Sequence, residues 1–295
     1  MKINKILQRL LVFLVGVPAV LLLVILLPEY NQPFLNIAVV VASLLGSLEL
    51  RSVLSSRIQI QNPVLTSIYA VLIPLAGAIC SVLDGLGVIL PFTFFDIIPS
   101  ILFLVFFISA FAEIFFNKSE NFEHCIQRSV SSIFFSLYPG FFLAYLSILT
   151  TWNYSLQILA ILFVMVFACD SCAWLLGVLL GRNNAGIVRA SPNKSIAGFI
   201  GGYLGSIATG IVGYFVIPDF FNSTSHPILK LVITGFLVAT ASIVGDLYES
   251  AEKRNSSKKD SGFLIPGRGG LLDSIDSLSF ACPVFFYSFL FFFGV

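Results

Sequence analysis

Long apolar runs separated by short polar segments dominate the chain, near 10–27, 35–50, 64–82, 98–116, 132–149, 157–180, 196–217, 228–249 and 278–295. A hydrocarbon core about 30 Å thick takes about 20 apolar residues per helix, which is the scale of these runs. The pattern predicts an all-α, polytopic transmembrane helical bundle of about nine spans. The stretch Gly85–Phe95 is also apolar and reads as a re-entrant or interfacial piece, which leaves the count open by one. The first run is too long for a signal peptide and no small-residue cleavage site follows it, so it is read as a span.

The polar segments between the runs sort by charge. Lys2, Lys5 and Arg9 precede the first run. Arg51 and Arg57, Lys118 and Arg128, then Arg182, Arg189 and Lys194 fall in every second connection. Lys253, Arg254, Lys258, Lys259 and Arg268 complete the set, leaving Lys230 alone of the 16 basic residues near the other side. The alternate connections carry Glu29, Asp84, Asp96 and Asp219. Such alternation is what the positive-inside rule produces, and it predicts a cytoplasmic N-terminus.

Composition strengthens this reading. Hydrophobic residues make up 58% and charged residues 11%, with a mean hydropathy of +0.99, whereas soluble domains hold about 25% charged residues. The net charge of +1 is balanced and no basic face is visible, so nothing points to a nucleic-acid partner and none is expected. The five cysteines show no disulfide spacing, and the Cys169/Cys172 pair, buried in an apolar run, reads as small packing residues. Residues 1–150 are read as a transmembrane scaffold and 151–295 as the catalytic region, because acidic residues and Gly/Ser/Lys-rich loops enter only in the second half.

Those acidic residues stand where carboxylates are expensive. Asp170, next to Ser171, lies near the middle of a span, at a cost of about 2.5–3.5 kcal/mol on insertion scales, and must face a partner or a polar cavity. Asp246 and Glu249 share one helix face, with Glu249 placed to pair with Lys253 one turn on. A charged loop, KRNSSKKDSGFLIPGRGGLLDSIDS, then runs from Lys253 to the last span. Gly267, Gly269 and Gly270 allow close backbone approach to an anion. Asp273 and Asp276 stand three apart, and Lys258, Lys259 and Arg268 lie among Asp260, Asp273 and Asp276. Carboxylates on two elements beside a glycine loop describe a magnesium site for phosphate chemistry. Lys194, in Ser191-Pro192-Asn193-Lys194-Ser195, offers a further point charge, while Gly198, Gly202, Gly205 and Gly210 read as helix-packing residues.

The stretch Ser250 to Arg254, Lys259-Asp260, Gly262, Pro266 to Gly270, Asp273 and Asp276 resembles the signature of the phosphatidate cytidylyltransferases (CDP-diacylglycerol synthases). Asp170 to Trp174, Gly177, Gly181-Arg182, Ser191 to Ser195 and Gly245-Asp246-Leu247 resemble other stretches of that family. The likeness covers roughly the C-terminal half. It implies a magnesium-dependent transfer of a cytidylyl group from CTP to phosphatidic acid, giving CDP-diacylglycerol and pyrophosphate. The short chain predicts a bacterial cell membrane, and the charge alternation a site on the cytoplasmic side. The likeness further implies Asp246 and Asp273 as metal ligands, with Asp260 and Asp276 beside them. Lys194, Lys259 and Arg268 would meet phosphates, while Gly267, Gly269, Gly270 and Ser191 would hold the nucleotide and Asp170 would line its cavity. Three positions depart from the family. Arg268 stands for a usual His, Ser274 for a usual Arg, and Glu252 for a usual apolar residue. Arg268 can bind phosphate in bidentate fashion but cannot transfer a proton. A homodimer is compatible with this reading. The alternatives are a CTP-dependent polyprenol or phytol kinase, a non-catalytic paralogue, and an ion-coupled transporter, which would not need the glycine loop.

Overall fold

The computed structural model describes residues 18–294 apart from 20, 23, 27, 118–121 and 266–268. Most of the first predicted span lies outside these residues, as do Lys2, Lys5, Arg9, Lys118, Pro266, Gly267 and Arg268. Among the described residues eight helices are long and apolar enough to cross a membrane: α1 Pro33–Leu54, α2 Pro63–Gly85, α3 Phe94–Phe116, α4 Cys125–Leu149, α5 Ser155–Leu180, α6 Ile196–Val216, α7 Pro227–Asn255 and α8 Leu272–Phe293. These match the second to ninth predicted spans, and all but α6, which ends one residue earlier than predicted, are a few residues longer. The protein is a multi-pass, all-helical membrane protein. Gly85–Phe95 is no further span, because α2 ends at Gly85 and α3 begins at Phe94.

Helix starts follow local chemistry. Asn62 caps α2 by accepting the Val64 amide at 2.8 Å, and Ser195 caps α6 by accepting the Gly198 amide at 3.1 Å. Thr93 and Asp96 form a reciprocal capping box at α3. Asp84 accepts from the Asn31 amide at 2.9 Å. Two of the acidic residues outside the basic connections thus serve as local caps and braces. Lys230 also has a structural use, since its ammonium donates to the Phe292 carbonyl in the last turn of α8 at 2.9 Å.

Chain contacts group into two units, residues 1–151 with 255–273 and residues 152–254 with 274–295. The glycine loop therefore groups with the N-terminal helices. In the first unit, α4 contains a π-helical segment, Ser136–Phe141, around Pro139, which has no amide to donate. Ser43 of α1 donates to the Pro139 carbonyl and, at 3.3 Å, to that of Ala70 in α2. Tyr69, Phe135, Tyr138, Leu143 and Tyr145 are fully buried around this crossing. Phe103, Phe106, Phe107, Phe115 and Phe116 of α3 are exposed, as lipid contact requires.

The first unit is also less purely apolar than the sequence suggests. Gln61 donates to the Ser109 carbonyl at 2.9 Å, the Ser109 hydroxyl at 3.0 Å and Glu113 at 3.1 Å, and accepts from Tyr69 at 3.2 Å. Glu113 in turn takes a two-nitrogen grip from Arg128, at 2.7–2.9 Å. Both charges of this pair are compensated inside the helix bundle.

In the second unit α5 and α6 pack backbone to backbone. A side chain at Gly201 would meet the Cys172 carbonyl at 2.5 Å, and one at Gly205 the Ala168 carbonyl at 2.6 Å. Small residues let helices approach this closely in lipid, where no hydrophobic force drives them together. At the other end of the unit Trp152 stacks against Phe286 at 4.9 Å, and Phe221 and Phe289 complete an aromatic cluster.

A Gly205→Val substitution should destabilise the protein by about 1–3 kcal/mol through overpacking. Thermal unfolding in detergent should show this as a lowered midpoint. Leu204→Val, at an exposed neighbouring position, should leave the midpoint within error.

Candidate active site

The second unit gathers Asp170, Lys194, Asp246 and Asp276. Lys194 reaches them through a short connection that doubles back between α5 and α6. The Gly186 amide donates to the Lys194 carbonyl at 3.1 Å and the Ile196 amide to the Asn184 carbonyl at 3.1 Å. Ser191 lies in the intervening turn, where its carbonyl accepts the Lys194 amide at 3.0 Å. Gly181 leaves room for Ser195, whose Cβ a side chain there would meet at 2.9 Å.

The ammonium of Lys194 donates to the Asp246 carboxylate in a salt bridge. Burial pulls the Lys194 pKa down, but Asp246, then Asp170 and Asp276, pull it up, and it settles above the ordinary lysine range. The lysine is therefore charged at neutral pH, and one cation faces three carboxylates. Asp276 is 5% exposed, and its Oδ1 accepts the Ser277 amide at 2.6 Å. It comes close to Asp246 because Gly245 has no side chain; a Cβ there would lie 2.5 Å from the Asp276 carbonyl. The glycine of Gly245-Asp246-Leu247 is thus a packing requirement between α7 and α8. One turn along α7, Glu249 is 1% exposed and pairs with Lys253, as the spacing predicts.

The first unit holds the charged loop. Asp273 Oδ2 accepts the Ser261 amide at 2.9 Å, the Ser261 hydroxyl at 2.7 Å and the Gly270 amide at 2.7 Å. The Gly269 amide donates to the Ile265 carbonyl at 3.0 Å, and Ile265 returns the bond at 2.8 Å. The amides of Gly269 and Gly270 are therefore engaged inside the loop, and an incoming phosphate would compete with those acceptors. Gly269 has φ +115°, which only glycine adopts without strain. Lys259 and Asp260 are exposed. Lys258 turns to the end of α1 and donates to the Ser52 carbonyl and, at 2.9 Å, to its hydroxyl. Arg268 and Gly267 lie outside the described residues.

Sequence reasoning missed Glu49. This carboxylate near the end of α1 accepts the Leu271 amide at 3.0 Å and the Leu272 amide at 2.7 Å. Its signal was a lone acid at the basic end of an apolar run.

The donor chemistry of the Lys194 cluster fits a hard divalent cation. Three carboxylates oppose one ammonium, and oxygen ligands suit magnesium. Among the described residues no three acidic, histidine or cysteine side chains converge on one point.

A family model described as the cytidylyltransferase family matches residues 7–293. The chain belongs to this family. A Haemophilus influenzae protein named phosphatidate cytidylyltransferase is 40% identical over 141 residues, 47% of this chain and 47% of that protein. One of the same name from Thermotoga maritima is 33% identical over 168 residues, 57% of this chain and 60% of that protein. The Escherichia coli protein YnbB, described as uncharacterized, is 33% identical over 185 residues, 62% of this chain and 59% of that protein. In each case the match spans less than two thirds of the relative. The family model reaches beyond the C-terminal half where the resemblance in sequence was read, and includes α1 with Glu49.

The Lys194–Asp246 pair should show coupling in a double-mutant cycle. The side chains are 28% and 27% exposed, between a surface pair and a buried one, so about 1–3 kcal/mol is expected. Thermal midpoints of Lys194→Met, Asp246→Asn and the double variant in detergent measure it. The double variant should be more stable than the sum of the single effects.

Proposed function

We propose that this protein transfers a cytidylyl group from CTP to phosphatidic acid, leaving CDP-diacylglycerol in the bilayer and releasing pyrophosphate. The observation that carries this reading is the gathering of Asp170, Asp246 and Asp276 around Lys194 in an otherwise apolar unit. Such a cluster suits a metal–triphosphate complex. The match to cytidylyltransferases supports the same chemistry.

In this reading a phosphate oxygen of phosphatidic acid attacks the α-phosphorus of CTP. The bond from that phosphorus to the α,β-bridging oxygen breaks, and pyrophosphate leaves with the electron pair. No general base is needed, because phosphatidate is ionised at neutral pH. The obstacle is repulsion between two anions, so catalysis rests on positioning and charge compensation. Lys194 would meet a phosphate of the triphosphate in place of Asp246, Asp246 with Asp276 beside it would hold the metal ion, and Asp170 would line the cavity. Bound there, Mg2+ would neutralise phosphate oxygens and stabilise the leaving group. Asp273 is the loop's candidate ligand; Lys259, Arg268 and the Gly267–Gly270 backbone supply phosphate contacts, and Asp260 and Ser191 border the nucleotide. The alternation of basic connections supports a cytoplasmic N-terminus and a cytoplasmic site, and the bacterial relatives support the inner membrane.

Purified protein in detergent with phosphatidic acid, Mg2+ and labelled CTP should yield pyrophosphate and a CDP-lipid in equal amounts. Chelation should stop turnover and added Mg2+ should restore it. Release of CDP with a phosphorylated lipid would replace this reading with a lipid kinase.

Asp246→Asn and Asp273→Asn should each lower kcat by at least about a hundredfold while the protein still elutes as a folded species. Near-normal turnover in either would remove that residue from the site.

A further inference from the structure

Glu49 belongs to no motif of the C-terminal half, yet it touches the charged loop at several points. Its two carboxylate oxygens take the amides of Leu271 and Leu272, the first donors of α8, which a helix start otherwise leaves unsatisfied. The Ser261 hydroxyl lies 3.4 Å from Glu49 Oε2 and 2.7 Å from Asp273 Oδ2, so one side chain links both carboxylates. Two loop glycines are shaped around the same group. A Cβ at Gly262 would lie 2.6 Å from Glu49 Oε1, and one at Gly270 would lie 2.7 Å from Glu49 Cδ. Glu49 thus occupies the space that a side chain at Gly262 would need, and shares with the Ser261 hydroxyl the space beside Gly270.

Neighbouring groups of α1 extend the attachment. Ser52, one turn beyond Glu49, receives Lys258, and Arg57 donates to the Asn255 carbonyl at 2.7 Å and the Ser257 hydroxyl at 3.2 Å. The end of α1 and its following turn therefore hold the loop at its entry, near Asn255 and Lys258, and at its exit, near Leu271 and Leu272. Of these contacts only Glu49 binds the exit limb that carries Asp273.

We propose that Glu49 is a positioning residue for the charged loop. It fixes the backbone at Ser261, Leu271 and Leu272, and through it the orientation of Asp273, without touching substrate. An acid fits the task because both partners are backbone donors, and charge-assisted bonds to amides are stronger than neutral ones. Glutamine would present an NH2 group to one of two amides and lose one bond. Aspartate would keep the charge but fall one methylene short.

The test combines a structural readout with a kinetic one. Hydrogen exchange on the full chain in detergent should show amides of 261–272 exchanging at least about tenfold faster in Glu49→Gln, with α5 and α6 unchanged. Gly262→Ala and Gly270→Ala, which crowd Glu49, should reproduce that local pattern. The kinetic arm rests on the proposed cytidylyl transfer. There Glu49→Gln should raise the KM for CTP about tenfold and leave that for phosphatidic acid within about twofold, and Glu49→Asp should recover part of the loss. Should the wild-type protein fail to turn over CTP, the reading of the activity fails while the exchange arm still decides the role of Glu49. Wild-type exchange across 261–272 in Glu49→Gln would overturn the proposal. So would faster exchange throughout the protein in both Glu49→Gln and Glu49→Asp, which would make Glu49 a general stabilising residue.

Discussion

A carboxylate carried on a membrane helix must find its compensation inside the protein, because lipid offers neither counterion nor hydrogen bond. Much of the local architecture follows from how that demand is met. Glu113 is neutralised by the two-nitrogen grip of Arg128 and steadied by Gln61. Glu49 is satisfied by backbone amides at the start of α8. Glu249 takes Lys253 one turn along its own helix. Asp246 is met by Lys194, but the same lysine is also shared with Asp170 and Asp276. The first two arrangements each hold two parts of the chain together, and the third stays within one helix. The fourth gathers several carboxylates around a single lysine.

Close backbone approach is the second constraint, and it explains residues that a motif reading assigns to ligands. Gly245 lets the Asp276 backbone come near α7, Gly262 and Gly270 leave room for Glu49, and Gly201 and Gly205 let α6 lie against α5. Gly269, with its positive φ, is required by the conformation of its own backbone. The amides of Gly269 and Gly270 close the loop on itself, through the Ile265 carbonyl and Asp273. The described part of the glycine loop is therefore engaged first with its own partners.

Side chains that look alike in sequence divide by their surroundings. Lys258 and Lys259 are adjacent, yet the first is tied to Ser52 and the second is exposed. Asp273 and Asp276 are three apart, yet one organises a loop through three donors while the other is buried and acts on Lys194. Equal charge at neighbouring positions thus supports quite different work, since local geometry decides which partners are in reach.

Hydropathy alone determined the helical, membrane-spanning character of the chain and the positions of α1 to α8, because a bilayer demands about 20 apolar residues per crossing wherever the protein ends up packing. Periodicity alone determined the Glu249–Lys253 pair, because helix geometry brings i and i+4 together without outside help. The carboxylates at 170, 246 and 276 were conspicuous for the same local reason, since each sits in or against an apolar run. What tertiary structure decided were the pairings across long sequence distances: Lys194 with Asp246, Arg128 with Glu113, Lys230 with the end of α8, and Glu49 with a loop more than 200 residues away. No repeat or spacing encodes those contacts. They depend on which helix faces meet, and that is settled by packing, glycine by glycine, only once the chain has folded.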